Sequence, residues 1–346
     1  MPRKIPATVI TGFLGAGKTT LIRHILANAN GRRIALIINE FGDLGIDGEI
    51  LKGCGDATCR DEDITELANG CICCTVAEEF IPTMEKLLAR SDAPDHIVIE
   101  TSGLALPQPL VRAFNWPEIS TRVTVDGVVT VVDGKAVAEG LFAHDPAAVD
   151  AQRKADEMLD HETPLSELYD DQIACADLIV VNKTDLLEQA EADQLVTRLR
   201  EQARDGVQVV RSTMGRLPVD VLLGMNAGAE TDMAGRAAPH HDSEAGEHDH
   251  DHDEFESFVV TRPEIDDPAI WVAQLSEIIR RFNILRLKGF ASVAGKPMRL
   301  TVQAVGPRVE HYFDRPFGAT EPRETRLVVI GEAGLDRAAI HAALTA

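Results

Sequence analysis

The sequence predicts a doubly wound, mostly parallel α/β domain followed by a smaller α+β domain. Three observations carry that reading. Over the first two hundred or so residues, short Val- and Ile-rich runs alternate with amphipathic segments. A glycine-rich loop joins the first run to the first amphipathic segment. Past Met225 apolar periodicity stops, and a second, strand-rich region begins at Phe255.

The expected strands of the first domain are Ile5–Thr11, Arg33–Ile38, His96–Glu100, Val123–Val132, Leu178–Val181 and Val207–Arg211. Between them Lys18–Ala29, Glu78–Arg90 and Glu188–Arg204 read as helices. Strands buried on both faces show near-continuous apolar runs, and their alternation with helices implies parallel crossovers. The stretch 134–171 is long and acidic, and reads as an insertion of partly helical character. The expected first domain is therefore 1–224, with a His- and Asp-rich linker over 225–254. In 255–346, Phe255–Arg262, Ile284–Val293, Arg299–Val305, Val309–Phe313 and Arg326–Ile330 read as strands. Pro268–Phe282 and Leu335–Leu344 read as helices, and a ferredoxin-like sheet covered on one face is expected.

At 346 residues the chain has room for two domains, and 45% hydrophobic residues suit a packed core. The net charge of −22 argues against nucleic acid or an anionic membrane as partner, since both require clustered Lys and Arg. No segment has the length of a membrane span. The basic tip and apolar stretch of residues 1–15 run into the glycine loop without a cleavage site, so they are expected as a strand, not a leader. Five of the six cysteines fall within twenty-one residues (54, 59, 71, 73 and 74), which suits metal chemistry in the cytoplasm rather than disulfides.

Gly12-Phe13-Leu14-Gly15-Ala16-Gly17-Lys18-Thr19-Thr20 matches the G-x-x-x-x-G-K-[ST] phosphate loop, after a strand and opening a helix. Backbone N–H groups of such a loop point at phosphate oxygens, and the helix N-terminus favours the anion. Lys18 is expected to reach the β- and γ-phosphates, and the Thr19 hydroxyl to ligate Mg²⁺. Glu100-Thr-Ser-Gly103 ends the strand His96–Glu100. Glu100 is a candidate for the Mg²⁺ shell or for activating water, and the Gly103 amide a candidate γ-phosphate contact. Asn182, Lys183 and Asp185 form N-K-x-D after the run Leu178–Val181. The Asp185 carboxylate can accept from N1–H and the exocyclic amine of guanine, donors that adenine lacks at those positions, so GTP is expected.

Cys71, Cys73 and Cys74 make a C-x-C-C turn whose thiolates can converge on one soft or borderline metal. Cys54 and Cys59 are extra ligands or plain loop cysteines, Cys175 reads as packing, and Glu40 is a metal ligand or a loop cap. His248, His250 and His252 alternate with acids in a tract without apolar content, fitting weak auxiliary metal contact or a solvated spacer.

With these residues in hand, the chain resembles the CobW family of P-loop GTPases. GFLGAGKTT, NEFGD, GCICC, ETSG and NKTD match its pattern in order, and the GCGDATC segment resembles its cobalamin-biosynthesis branch. The resemblance implies a metallochaperone with slow GTP hydrolysis. Mg-GTP binds, Cys71, Cys73 and Cys74 take up metal, and hydrolysis releases it to a client. For that branch the implied cargo is Co²⁺ and the client a cobaltochelatase; elsewhere in the family the cargo is Zn²⁺. A homodimer is compatible with this reading. A nucleotide-dependent kinase would need an acceptor site and an arginine-bearing lid, neither of which is found. A zinc buffer would leave Lys18 and Asn182–Asp185 without a purpose.

Overall fold

The computed structural model describes residues 4–39, 64–67, 80–90, 92–155, 164–236, 255–318, 322–332 and 334–345. The chain divides into two compact units, Met1–His250 and Asp251–Ala346.

In the first unit β1 (Ile5–Thr11), β2 (Ile34–Asn39), β3 (Ile64–Leu67), β4 (His96–Glu100), β5 (Val123–Asp133), β6 (Leu178–Asn182) and β7 (Gln208–Arg211) form one sheet of order β3-β2-β4-β1-β5-β6-β7. Every pairing in it is parallel. The crossovers carry α1 (Lys18–Ala27), α2 (Ile81–Leu88), α3 (Pro107–Ala113), α4 (Pro117–Ser120), α5 (Gly134–Ala138), α6 (Pro146–Ala155), α7 (Leu165–Cys175), α8 (Gln189–Gln202) and α9 (Val219–Leu222). Ala7, Val9, Ile97, Ile99, Val125 and Val128 stand side by side in register under Phe80, Met84, Leu110 and Phe114. The same face continues through Val132, Ile179 and Val181 beneath Tyr169, Ile173, Leu195 and Leu199. The alternate residues Ile10, Ile38, Val129 and Val180 are equally buried, so both faces are covered, as a parallel sheet requires.

The expected strands are all present, and the four-residue β3, which has no apolar run to mark it, is additional. The stretch 134–171 contains α5, α6 and the start of α7. One boundary needs correction: Met225 to Arg236 is not a linker. Asp126, at the β-bulge where β5 shifts register against β1, accepts from the Gly224 and Asn226 amides. Glu230 accepts from Thr124 Oγ1 at 2.6 Å and Val125 N at 2.9 Å. Arg236 is fully buried and forks onto Asp177 at 2.7 and 2.9 Å. Polar side chains, not an apolar period, fix this strap to the sheet, so composition alone hides it.

The second unit is an antiparallel sheet of order β11-β10-β9-β12-β8, from β8 (Phe255–Arg262), β9 (Arg286–Ala291), β10 (Met298–Val305), β11 (Arg308–Pro316) and β12 (Thr325–Glu332). Helices α10 (Pro268–Arg281) and α11 (Arg337–Thr345) share a core with one face, Trp271, Leu275, Ile279, Ile340 and Leu344 meeting Val260, Leu287, Val302 and Val329. Asp267 caps α10 by accepting from Ala269 N at 2.8 Å, and Pro268 opens the helix. The α+β character and the single covered face are those expected. β8-α10-β9 with β12 between the two strands is the split β-α-β of a ferredoxin-like sheet. The remainder departs from that pattern, because the second helix follows the last strand instead of preceding it.

Candidate nucleotide and metal site

In the first unit β1 is the point from which strand order runs both ways, through β4 on one side and β5 on the other. Ligands of open α/β sheets bind at the carboxyl ends of strands at such a switch point. The loop from Gly12 to Gly17 leaves β1 there and opens α1. Gly17 holds φ at 105°, and a Cβ on it would stand 2.2 Å from Asn182 Nδ2, so only glycine fits. Lys18 folds back, donating to the carbonyls of Gly12 at 2.7 Å and Phe13 at 3.3 Å. Phe13 is buried, Leu14 and Gly15 are exposed, and Ala16 is buried beneath them. Thr20 is exposed on α1, while Leu21, Ile22, Ile25 and Leu26 are buried.

Glu100 ends β4 in register with Ile10 and is buried. Thr19 Oγ1 donates to Glu100 Oε1 at 3.3 Å. A hydroxyl and a carboxylate side by side form the hard-oxygen donor set that Mg²⁺ selects. Gly103 follows three residues later, against the loop: a Cβ there would stand 2.7 Å from Leu14 N.

On the other side of β1, Asn182 ends β6. Its Nδ2 donates to Ala16 O at 2.9 Å and its Oδ1 accepts from Gly215 N at 3.0 Å, tying the phosphate loop to the segment after β7. Lys183 adopts a left-handed turn and its ammonium pairs with Asp133 at 2.6 Å. Thr184 Oγ1 anchors the turn on Ser212 O at 3.1 Å. Asp185 is exposed on the following 3₁₀ turn. The phosphate loop, Glu100, Gly103 and N-K-x-D thus share one edge of the sheet.

Residues 6–211 match the family model described as CobW/HypB/UreG, nucleotide-binding domain. The chain belongs to this family. Residues 255–346 match the cobalamin synthesis protein cobW C-terminal domain. As a CobW/HypB/UreG protein the chain is a P-loop GTPase, splitting GTP to GDP and phosphate. It is 58% identical over 344 residues to a protein of Sinorhizobium sp named zinc chaperone CobW, covering 99% of this chain and 97% of that one. A Pseudomonas aeruginosa protein of the same name is 56% identical, over 97% of this chain and 90% of the other. The solved structure of Zn(II)-bound YjiA GTPase from E. coli is similar at a TM-score of 0.42 and 25% identity, covering 99% and 98%.

Of the candidate metal residues, Cys71, Cys73 and Cys74, which the CobW resemblance assigns, and Glu40, His248, His250 and His252 lie outside the described residues, as do Cys54 and Cys59. Among the described residues no three His, Cys, Asp or Glu form a metal-holding group. Cys175 is fully buried, and that burial pushes its thiol up to about 12, which suits packing. Two neighbours of the family motifs were not expected. Asp133, partner of Lys183, carries the same signal as Glu100, an acid closing an apolar run. Gly215 follows β7 by four residues and carries no signal beyond its glycine. No helix among the described residues is long and apolar enough to cross a membrane.

Proposed function

We propose that this GTPase is a cytoplasmic zinc chaperone, with Cys71, Cys73 and Cys74 as the metal residues and Mg-GTP as the signal for loading. The observation that carries the coupling is where β3 ends. Leu67 pairs with Asn39 at the carboxyl end of a parallel strand, so the chain enters 68–79 from the sheet edge that bears the phosphate loop and Glu100. The three cysteines occur in the twelve residues that then lead to α2. A γ-phosphate at that edge acts on the same connection that carries the thiolates.

In this reading the loop amides of 12–17 and Lys18 hold the phosphates, the Gly103 amide meets the γ-phosphate, and Lys183 and Asp185 flank and read guanine. Thr19 and Glu100 would hold Mg²⁺, which neutralises charge on the β- and γ-oxygens. Loss of the γ-phosphate on hydrolysis is then the signal that releases the metal. Residues 225–236 stay with the GTPase unit and the linker shortens to 237–254, where His248, His250 and His252 serve as auxiliary contacts.

Zinc is supported by the name zinc chaperone borne by the two relatives that match nearly the whole chain, and by the preference of thiolates for Zn²⁺ over Co²⁺. Cobalt delivered to a cobaltochelatase is the second reading, favoured by the cobalamin-synthesis description of the C-terminal family. The test is a Zn²⁺ titration against a chromophoric chelator with Mg²⁺ and either a non-hydrolysable GTP analogue or GDP. Affinity is expected to be tighter with the analogue by roughly 5- to 150-fold. Equal affinities would sink the loading mechanism, and a Co²⁺ preference in the analogue state would move the assignment to cobalt.

A further inference from the structure

A glycine pressed against the phosphate loop has no side chain to hold its own conformation, so the restraint has to come from elsewhere. For Gly103 it comes from α7. Gln172 is 1% exposed, in the middle of that helix among Leu168, Tyr169 and Ile173. Burying a primary amide there is costly unless its donors are used. Both are: Nε2 donates to Gly103 O at 3.2 Å and to Ala105 O at 3.1 Å. The backbone of the same residue accepts from Thr130 Oγ1 at 2.9 Å, and Gln108 Nε2 donates to Asp171 O at 3.1 Å. Leu104, between the two clamped carbonyls, packs in one cluster with Phe13 and Tyr169.

One turn earlier on α7, Tyr169 meets the phosphate loop itself. Its ring centroid lies 6.2 Å from that of Phe13 and 5.3 Å from that of Phe142, and Phe13 and Phe142 are 5.9 Å apart. One helix therefore backs both Phe13 of the phosphate loop and the backbone on either side of Leu104.

We propose that Gln172 is a positioning residue for GTP hydrolysis: by clamping the Gly103 and Ala105 carbonyls from α7 it sets the Gly103 amide against the γ-phosphate. The inference rests on the proposed role of Gly103. Its signature is selective, because GDP has no γ-phosphate to miss.

The test uses the full chain. Gln172→Met keeps length and volume and removes both donors; Gly103→Ala is made in parallel. Affinities for GDP and a non-hydrolysable GTP analogue are measured with a fluorescent competitor nucleotide, beside steady-state hydrolysis. Gln172→Met is expected to bind GDP within about twofold of the parent while kcat and analogue affinity fall about tenfold or more. If that variant does not fold, Gln172→Asn, one methylene too short to span both carbonyls, carries the same comparison. Equal losses for GDP and the analogue would mark a merely structural residue and overturn the proposal. So would parental kcat and analogue affinity in Gln172→Met when Gly103→Ala loses both. An analogue affinity untouched by Gly103→Ala would instead overturn the reading of Gly103 and the inference with it.

Discussion

A carboxylate can select guanine only while it stays ionised and exposed at the end of a fixed turn, and Asp185 meets the structural half of that condition. Thr184 pins the turn to Ser212, and Asn182 pins it to the phosphate loop. Asp185→Asn exchanges an acceptor for an amide that can donate, which suits the C2 carbonyl of xanthine and not the C2 amine of guanine. GTP affinity is expected to fall by about a hundredfold or more while XTP binding rises, measured by competition. Unchanged GTP affinity would remove Asp185 from the base site. Cys175 behaves oppositely, since nothing at the site uses it. Burial raises its thiol from 9.0 to about 12, with Arg236 pulling the other way. A raised acid favours the neutral form in the folded state. Its contribution is complete below the unfolded value near 9 and is lost as pH climbs toward 12. Urea unfolding is expected to show a decline over that window that Cys175→Ala lacks, and native Cys175 is expected to resist maleimide at neutral pH.

At the scale of elements, the strap after β7 is the part whose stability depends on polar groups. Arg236 and Asp177 are both buried, and Arg236 also donates to Cys175 O at 2.6 Å. Arg236→Met strands a carboxylate that still has Val128 N at 3.0 Å and Arg204 at 3.4 Å. The cost is therefore set near the lower end for breaking a buried pair, about 3 kcal/mol by urea denaturation. Asp177→Asn with Arg236→Met is expected to recover much of it, and a single variant as stable as the parent would show that the strap needs no clip. This element also marks the limit of what could be read beforehand. β1, β4, β5 and β6 announce themselves because burial on both faces forces continuous Val and Ile, and the phosphate loop because only glycine fits there. The strap, β3 and Gln172 carry no period. Their places are set by partners twenty-eight or more residues away, such as Leu36 for Ile64, Asp126 for Gly224, or Gly103 for Gln172. Cys71, Cys73 and Cys74 stand out in the sequence as chemistry, three thiols in four residues, without any help from the fold.

For the molecule as a whole, charge and tryptophan are both partitioned. Residues 255–346 carry twelve Lys and Arg against eleven Asp and Glu, so the chain's −22 resides in the residues before them. The two tryptophans divide likewise: Trp116 between α3 and α4, 40% exposed, and Trp271 in the core of the second unit, 4% exposed. Each unit has its own core, so ligand binding to one is expected to stabilise that one alone. Full-length Trp116→Phe and Trp271→Phe variants separate the signals under urea. Mg-GDP at a hundred times its Kd adds about 2.7 kcal/mol to whatever cooperative unit holds the nucleotide. The transition reported by Trp116 is expected to move to higher urea by that energy divided by its m-value, while that of Trp271 stays in place. Added salt is expected to act in the same direction on the same transition, because screening relieves repulsion where the negative charge is concentrated. If both tryptophans report one transition and nucleotide moves it as one, the two units unfold together. The nucleotide's influence would then extend to the C-terminal sheet.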